Sequence, residues 1–169
     1  MFKPAKSKNR NWNLLKTFVQ TGVFWLIFLY LIPMGILKME LNTGINGFVA
    51  HKEIGWILFL IFSLIGVYSG YTMSSRGKGT PLPLDCPNKL VIEGPYKFVR
   101  NPMAIAGIGQ GISVGIILGS YIIILYSISG AILWNIIVRP IEEKDLEQRF
   151  GKSYLEYKTK IKCWIPKFR

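Results

Sequence analysis

Four stretches of the chain, residues 18–37, 55–73, 103–118 and 121–138, contain no Asp, Glu, Lys, Arg or His. A membrane helix needs about 20 apolar residues, with about 17 at the lower end. The pattern therefore predicts four transmembrane helices in a single membrane domain of 169 residues. Pro33 lies near the outer end of the first span and predicts a kink there. Only Gly119 and Ser120 separate the third and fourth spans, so these form a tight helical hairpin.

Polar and breaker residues organise the rest. Residues 74–100 hold Pro81, Pro83, Pro87 and Pro95 together with Gly77, Gly79 and Gly94, which argues against a helix across most of the segment. The segment is long for a connection in a compact protein. It keeps Leu82, Leu84, Leu90, Val91, Ile92, Tyr96 and Phe98, and is expected to fold over the bundle as a lid. From residue 141 to about 162, Leu146, Phe150, Tyr154, Tyr157 and Ile161 recur at helical spacing as one apolar stripe. That predicts an amphipathic C-terminal helix, interrupted by Gly151 at a cost of about 1 kcal/mol. Trp164 and Pro166 suggest an end anchored near the membrane interface.

Inside the spans, Gly66 and Gly70 form a small-residue packing pair, and Gly107, Gly111, Gly115 and Gly119 follow at intervals of four on one helix face. Such a face lets a neighbouring backbone approach, or makes room for a ligand or lipid chain. Gln110 is a polar group in hydrocarbon and requires a partner. His51 stands in the outer loop, 38–54, with nothing beside it to complete a catalytic or metal set.

Composition agrees with a membrane protein. Half of the residues are hydrophobic and only 18% are charged, against about 25% in ordinary soluble domains. A soluble globule, a secreted disulfide scaffold and a disordered tail are excluded. The net charge of +12 would suggest nucleic acid in a soluble protein, but its distribution points to topology. With four spans, all the lysines and arginines except Lys38 and Lys52 fall on one side. The positive-inside rule places that side, and both termini, in the cytoplasm. The membrane is then the inner one of a prokaryote or the endoplasmic reticulum of a eukaryote. Cys86 and Cys163 share that side, with no metal-ligand spacing, and read as reduced thiols.

Two polar clusters mark the cytoplasmic boundary. In the run from Gly94 to Met103, Asn101 is a good N-cap and Pro102 a good first helical residue, so the third helix starts there. Its unpaired N–H groups lie beside Arg100. They can receive a carboxylate or phosphate, unless this is simply a capped helix with a snorkelling arginine. Arg139, Pro140, Ile141, Glu142 and Glu143 follow the fourth span directly. Their carboxylates either complement a helix dipole or bind a cation. The hairpin returns both clusters to one membrane face, which suits a zwitterion carrying an extra positive charge.

The run Gly94 to Met103, followed by Arg139, Glu142, Glu143 and the stretch from Phe150 to Tyr157, resembles the isoprenylcysteine carboxyl methyltransferase family. That family belongs to a wider group that includes the phospholipid methyltransferases. The likeness covers roughly residues 88–166. It implies a membrane-embedded, S-adenosyl-L-methionine-dependent methyltransferase acting on a lipid or lipidated small molecule. By motif position, the cofactor contacts fall on Asn88, Lys89, Leu90, Val91, Tyr96, Asn101, Pro102, Met103, Ala104 and Glu143. Arg139 matches the arginine on the substrate side, where it would hold an anionic head group. Asn101 and Ala104 stand where the carboxyl methyltransferases usually have His and Tyr, and the Asn-Pro-Met sequence is similar to the phospholipid variant. A histidine base is therefore absent at that position. A non-catalytic assembly protein, and a membrane reductase of related architecture, are the alternatives.

Overall fold

The computed structural model describes residues 10–80 and 86–167. Pro81, Leu82, Pro83 and Leu84 of the segment 74–100, and the basic residues Lys3, Lys6, Lys8 and Arg169, lie outside the described residues. Helix α1 (Arg10–Trp25), a π-helical segment (Leu26–Leu31) and α2 (Ile32–Thr43) form one continuous path. After α3 (Lys52–Gly77) comes a single 3-10 turn (Gly94–Lys97) and then α4 (Pro102–Leu118). Helix α5 (Tyr121–Leu133), a second π segment (Trp134–Val138) and α6 (Arg139–Lys160) complete the order. Among the described residues, three paths are long and apolar enough to cross a membrane: Asn11–Thr43, Lys52–Gly77 and Tyr121–Lys160. Helix α4 is apolar but shorter, at 17 residues.

Several boundaries differ from the sequence expectation, and proline explains two of them. Pro33 does not end its helix, and the path runs on to Thr43, where Gly44 turns left-handed at φ 70°. A helical proline lacks an N–H and crowds the carbonyl four residues earlier. Here the turn just before it widens, with Ile32 N–H donating to Ile27 five residues back. The same device precedes Pro140, where Arg139 N–H donates to Trp134. The fourth apolar stretch therefore does not stop at Val138. It continues as a helical path of 40 residues, about 60 Å long at 1.5 Å per residue. The expected separate tail helix is thus an extension of the last span. Its one break is Gly151, at φ 51° and ψ −127°. The outer loop also shrinks, because α2 and α3 extend to Thr43 and Lys52; exposed His51 sits at the α3 N-cap.

Small residues set the packing. Helix α3 lies antiparallel to α1 and to α4, and α4 is antiparallel to α5. A Cβ on Gly66 would lie 3.3 Å from Ala106, and one on Gly70 would lie 3.2 Å from Thr17. Gly111 and Gly115 receive Ser127 and Ile124 of the hairpin partner, whereas Gly107 of the same row faces open space. Gln110 finds its partner in α3, donating to Ser63 Oγ at 2.9 Å. Thr17 and Ser74 hydroxyls join α1 to α3 at 2.6 Å. The interior holds Gln110, Ser69 and Ser113, while Ile57, Leu64, Leu125 and Ile136 point outward. That inversion suits hydrocarbon, where apolar side chains lose nothing by facing out and polar ones must bond internally.

Candidate functional site

Helix α4 begins where the sequence places its cap. Asn101 Oδ1 accepts from Ala104 N–H at 3.0 Å, and Pro102 needs no acceptor. At the far end, Ser120 caps α5 by accepting from Ile123 N–H at 3.0 Å, and its own hydroxyl donates to buried Glu40 at 2.8 Å. The chain then returns, so the start of α6 meets the start of α4. Asn101 Nδ2 lies 3.4 Å from Glu142 Oε2.

Glu143 is the centre of the junction. Arg100 Nη1 donates to its Oε1 at 2.8 Å, and Arg139 Nε to the same oxygen at 2.9 Å. Lys158 Nζ reaches its Oε2 at 2.8 Å from beyond the Gly151 break. Arg100 is only 9% exposed, so it is not a snorkelling residue. Burial by itself would raise the Glu143 pKa, but hydrogen bonds from Lys158 and Arg139 and the charge of Arg100 outweigh it, and the carboxyl titrates below its ordinary range. Glu142 has no such company. Burial, and then the charge of Glu143, push it up to about 7. Tyr96 is buried and titrates far above its usual value for the same first reason, desolvation.

The loop after α3 folds back on the helix end, with Asn88 N–H donating to Gly77 O at 2.7 Å. Helix α6 fastens it from the other side: Arg149 Nη1 donates to Pro87 O at 2.7 Å and Tyr157 OH to Tyr96 O at 2.7 Å. Between the end of α3, the loop, the α4 N-cap, the second π segment and α6 lies a cleft whose free space, including the part open to solvent, is about 510 Å³. Of the residues singled out in the sequence, Lys89, Leu90, Val91, Tyr96, Asn101, Arg139 and Glu143 line it. Asn88 instead ties down the loop, and its Nδ2 also donates to Lys78 O. Pro102 and Ala104 build the cap, and Met103 turns toward Gly70 of α3. The apolar stripe of the tail supplies Leu146, Phe150, Tyr154 and Tyr157 as a wall of the same cleft.

A raised carboxyl has a definite consequence for stability. The folded pKa of Glu142, about 7, exceeds the unfolded value of about 4.3. The folded state therefore binds the extra proton between those values. The associated stability is complete below pH 4.3 and is lost as pH rises through 7. Glu143 behaves oppositely, but its loss falls below pH 4.3. Thermal midpoints in detergent should therefore drop as pH rises from about 5 to about 8, by about 2 kcal/mol of stability after solvent screening. Glu142→Gln should flatten that slope; an unchanged slope would show that another group carries it.

The family model for phospholipid methyltransferases matches residues 51–153, more than half of the chain. The chain belongs to that family. No curated protein matches it significantly. As a phospholipid methyltransferase family member it is a membrane methyltransferase, and the matched region runs from the α3 N-cap through the loop, the hairpin and most of α6. Tyr154, Lys158, Cys163 and Trp164 of the same junction lie beyond the match.

The residues present suit the zwitterionic cofactor of methyl transfer. Arg100 Nε is buried and has no hydrogen-bond acceptor among the described residues. Glu142 is a carboxylate without a paired cation among them. Arg100 and Glu142 both line the cleft, one with a donor that no acceptor meets and the other with a carboxyl that no cation pairs, whereas Glu143 is already occupied by three cations. The sequence motif placed Arg100 at the site but left open what it does there. Asn135 and Trp134 escaped notice, since each reads locally as span, and Cys163 read only as a reduced thiol although it lines the cleft.

Proposed function

We propose that this phospholipid methyltransferase family member transfers a methyl group from S-adenosyl-L-methionine to a lipid or lipidated small molecule at the cytoplasmic face of the membrane. The observation that carries the reading is the cleft at the basic end of the helices, where Arg100 Nε and Glu142 present unmet donor and acceptor capacity. The orientation requires α4 to be a fourth span. Helix α4 covers about 25 Å, and the capped turns at its two ends extend it toward the roughly 30 Å of hydrocarbon. All the basic residues but Lys38 and Lys52 then share the side of the cleft.

Bound there, the cofactor would supply a methyl group on a sulfonium, whose carbon–sulfur bond breaks as the acceptor's nucleophilic atom bonds to the methyl, so that a neutral thioether leaves without acid assistance. The chain's own residues bind and orient. Asn101 caps the α4 N-terminus beside the cleft, with Pro102, Met103 and Ala104 forming that first turn. Lys89, Leu90 and Val91 line the cleft from the loop that Asn88 ties down, and Tyr157 of α6 holds that loop through the Tyr96 carbonyl. Glu142 gives the negative charge that a cationic group meets. Glu143 keeps Arg100 and Arg139 in place, and Arg139 receives the anionic head group of the acceptor. Holding donor and acceptor in line is worth about 7–11 kcal/mol of barrier in favourable cases.

Titrating S-adenosylmethionine into the purified protein should give saturable binding in the range of about 1 μM to 1 mM, where enzyme KM values usually fall. Incubation with trideuteromethyl cofactor in native membranes should then yield a mass-shifted lipid. Folded protein that takes up no cofactor at millimolar concentration would overturn the reading.

A further inference from the structure

Asn135 is the one carboxamide in the fourth apolar stretch, set in its π segment one turn before the charged junction. An amide at that depth is costly unless both its neighbours and its geometry satisfy it. Its Oδ1 accepts two hydrogen bonds, from Arg139 Nη1 at 2.8 Å and from Trp164 Nε1 at 2.8 Å. Both lone pairs of the carbonyl are then in use, which fixes which end of the amide faces the arginine. Trp164 is held independently: its ring meets Trp134 edge-on at 5.3 Å, and its strand of backbone bonds Arg100 N–H through Lys162 O at 3.0 Å.

Arg139 has five N–H donors. Nε is committed to Glu143 and one Nη1 hydrogen to Asn135. Two acceptors on different atoms set the plane of the guanidinium, whereas Glu143 alone would leave it free to swing about the Nε bond. Three donors remain, on Nη2 and Nη1, on a side chain that is 31% exposed and lines the cleft. A planar fork held in one orientation is what two-point capture of a phosphate or carboxylate requires.

We propose that Asn135 is a positioning residue for acceptor binding: its side-chain oxygen holds the Arg139 fork toward the cleft, where the free N–H groups take the phosphate of a lipid head group. The proposal rests on the methyltransferase reading for its purpose, but its geometry is testable without turnover. Trp164 provides the comparison, because it shares the same oxygen without contributing a donor to the anion.

The test measures dodecyl phosphate binding to the full chain in maltoside detergent by calorimetry. Asn135→Leu should weaken it about tenfold, the usual loss for one hydrogen bond to a charged group. Arg139→Ala should weaken it at least as much, and adding Asn135→Leu to Arg139→Ala should bring no further loss. Trp164→Phe should stay within about twofold of wild type. S-adenosylmethionine affinity, measured on the same samples, should be unaffected by Asn135→Leu. If Asn135→Leu fails to fold, Asn135→Gln, which keeps the amide but moves the oxygen by a methylene, carries the same expectation. Wild-type phosphate affinity in the folded Asn135 variant overturns the proposal, as does an additive loss in the double variant. Loss of cofactor binding in the wild-type protein with this phosphate pattern intact would count against the methyltransferase reading alone.

Discussion

Glu143→Ala should abolish methyl transfer and lower stability by about 3–5 kcal/mol, the usual penalty for leaving buried charge unpaired. Arg100, Arg139 and Lys158 all converge on this carboxylate. Arg100 is the most deeply placed of the three and keeps only the Tyr154 hydroxyl, at 3.1 Å, once Glu143 is gone. The junction joins the start of α4 to both halves of α6, so its loss should loosen the cleft before the membrane helices. Cofactor affinity should fall by more than tenfold. Two measurements check this: thermal unfolding followed by tryptophan fluorescence, which Trp134 and Trp164 report locally, and calorimetric titration of cofactor. A variant that melts with the wild type and binds as tightly would mean that the three cations are satisfied elsewhere. Glu143→Gln should be milder in volume but equally poor in charge, and should follow alanine in affinity more closely than in stability.

A single methyl at Gly119 should be nearly as damaging, for a steric reason. Gly119 sits at φ 68° in the turn of the hairpin, and a Cβ there would meet the carbonyl oxygen of Phe48. The obstacle is backbone, so it cannot rotate away. Phe48 N–H also donates to Gly119 O at 2.8 Å, which ties the outer loop to the turn. Left-handed strain alone costs about 1–3 kcal/mol, and displacement of the loop adds to it. Gly119→Ala should lower the midpoint of unfolding by several degrees, while Gly107→Ala, whose Cβ would enter open space, should leave it within a degree or so. Equal midpoints for the two variants would refute the packing described for the hairpin.

The comparison of sequence with structure separates what periodicity carries from what it cannot. Charge-free stretches marked all four apolar helices, and Asn101-Pro102 marked the start of α4 to the residue. The partner of Gln110 was demanded by its polarity, and Ser63 met that demand. Helix ends were less legible. Pro33 read as a kink, and the tail helix was expected to begin at residue 141, after Pro140, because proline ordinarily costs a helix a hydrogen bond. Two widened turns absorbed both prolines, and nothing local in Leu26–Leu31 or Trp134–Val138 announces a π turn. The cluster around Glu142 and Glu143 was visible as a pair of carboxylates beside an arginine. Their division of labour was not, because it depends on Lys158, fifteen residues later and past the Gly151 break. Asn135 escaped for the same reason: its two donors, Arg139 and Trp164, meet only after the tail has doubled back.

The unbroken run from Tyr121 to Gly151 has a mechanical implication. The segment that crosses the hydrocarbon and the segment that carries Arg139 and Glu142 are one rod. A bilayer thinner than the rod's apolar length is accommodated by tilting it. A tilt of the lipid-facing half swings the charged half about the hairpin, against the fixed start of α4. Lipid thickness should thereby reach the cleft as a change in the spacing between Asn101 and Glu142, carried by the stiffness of one helix.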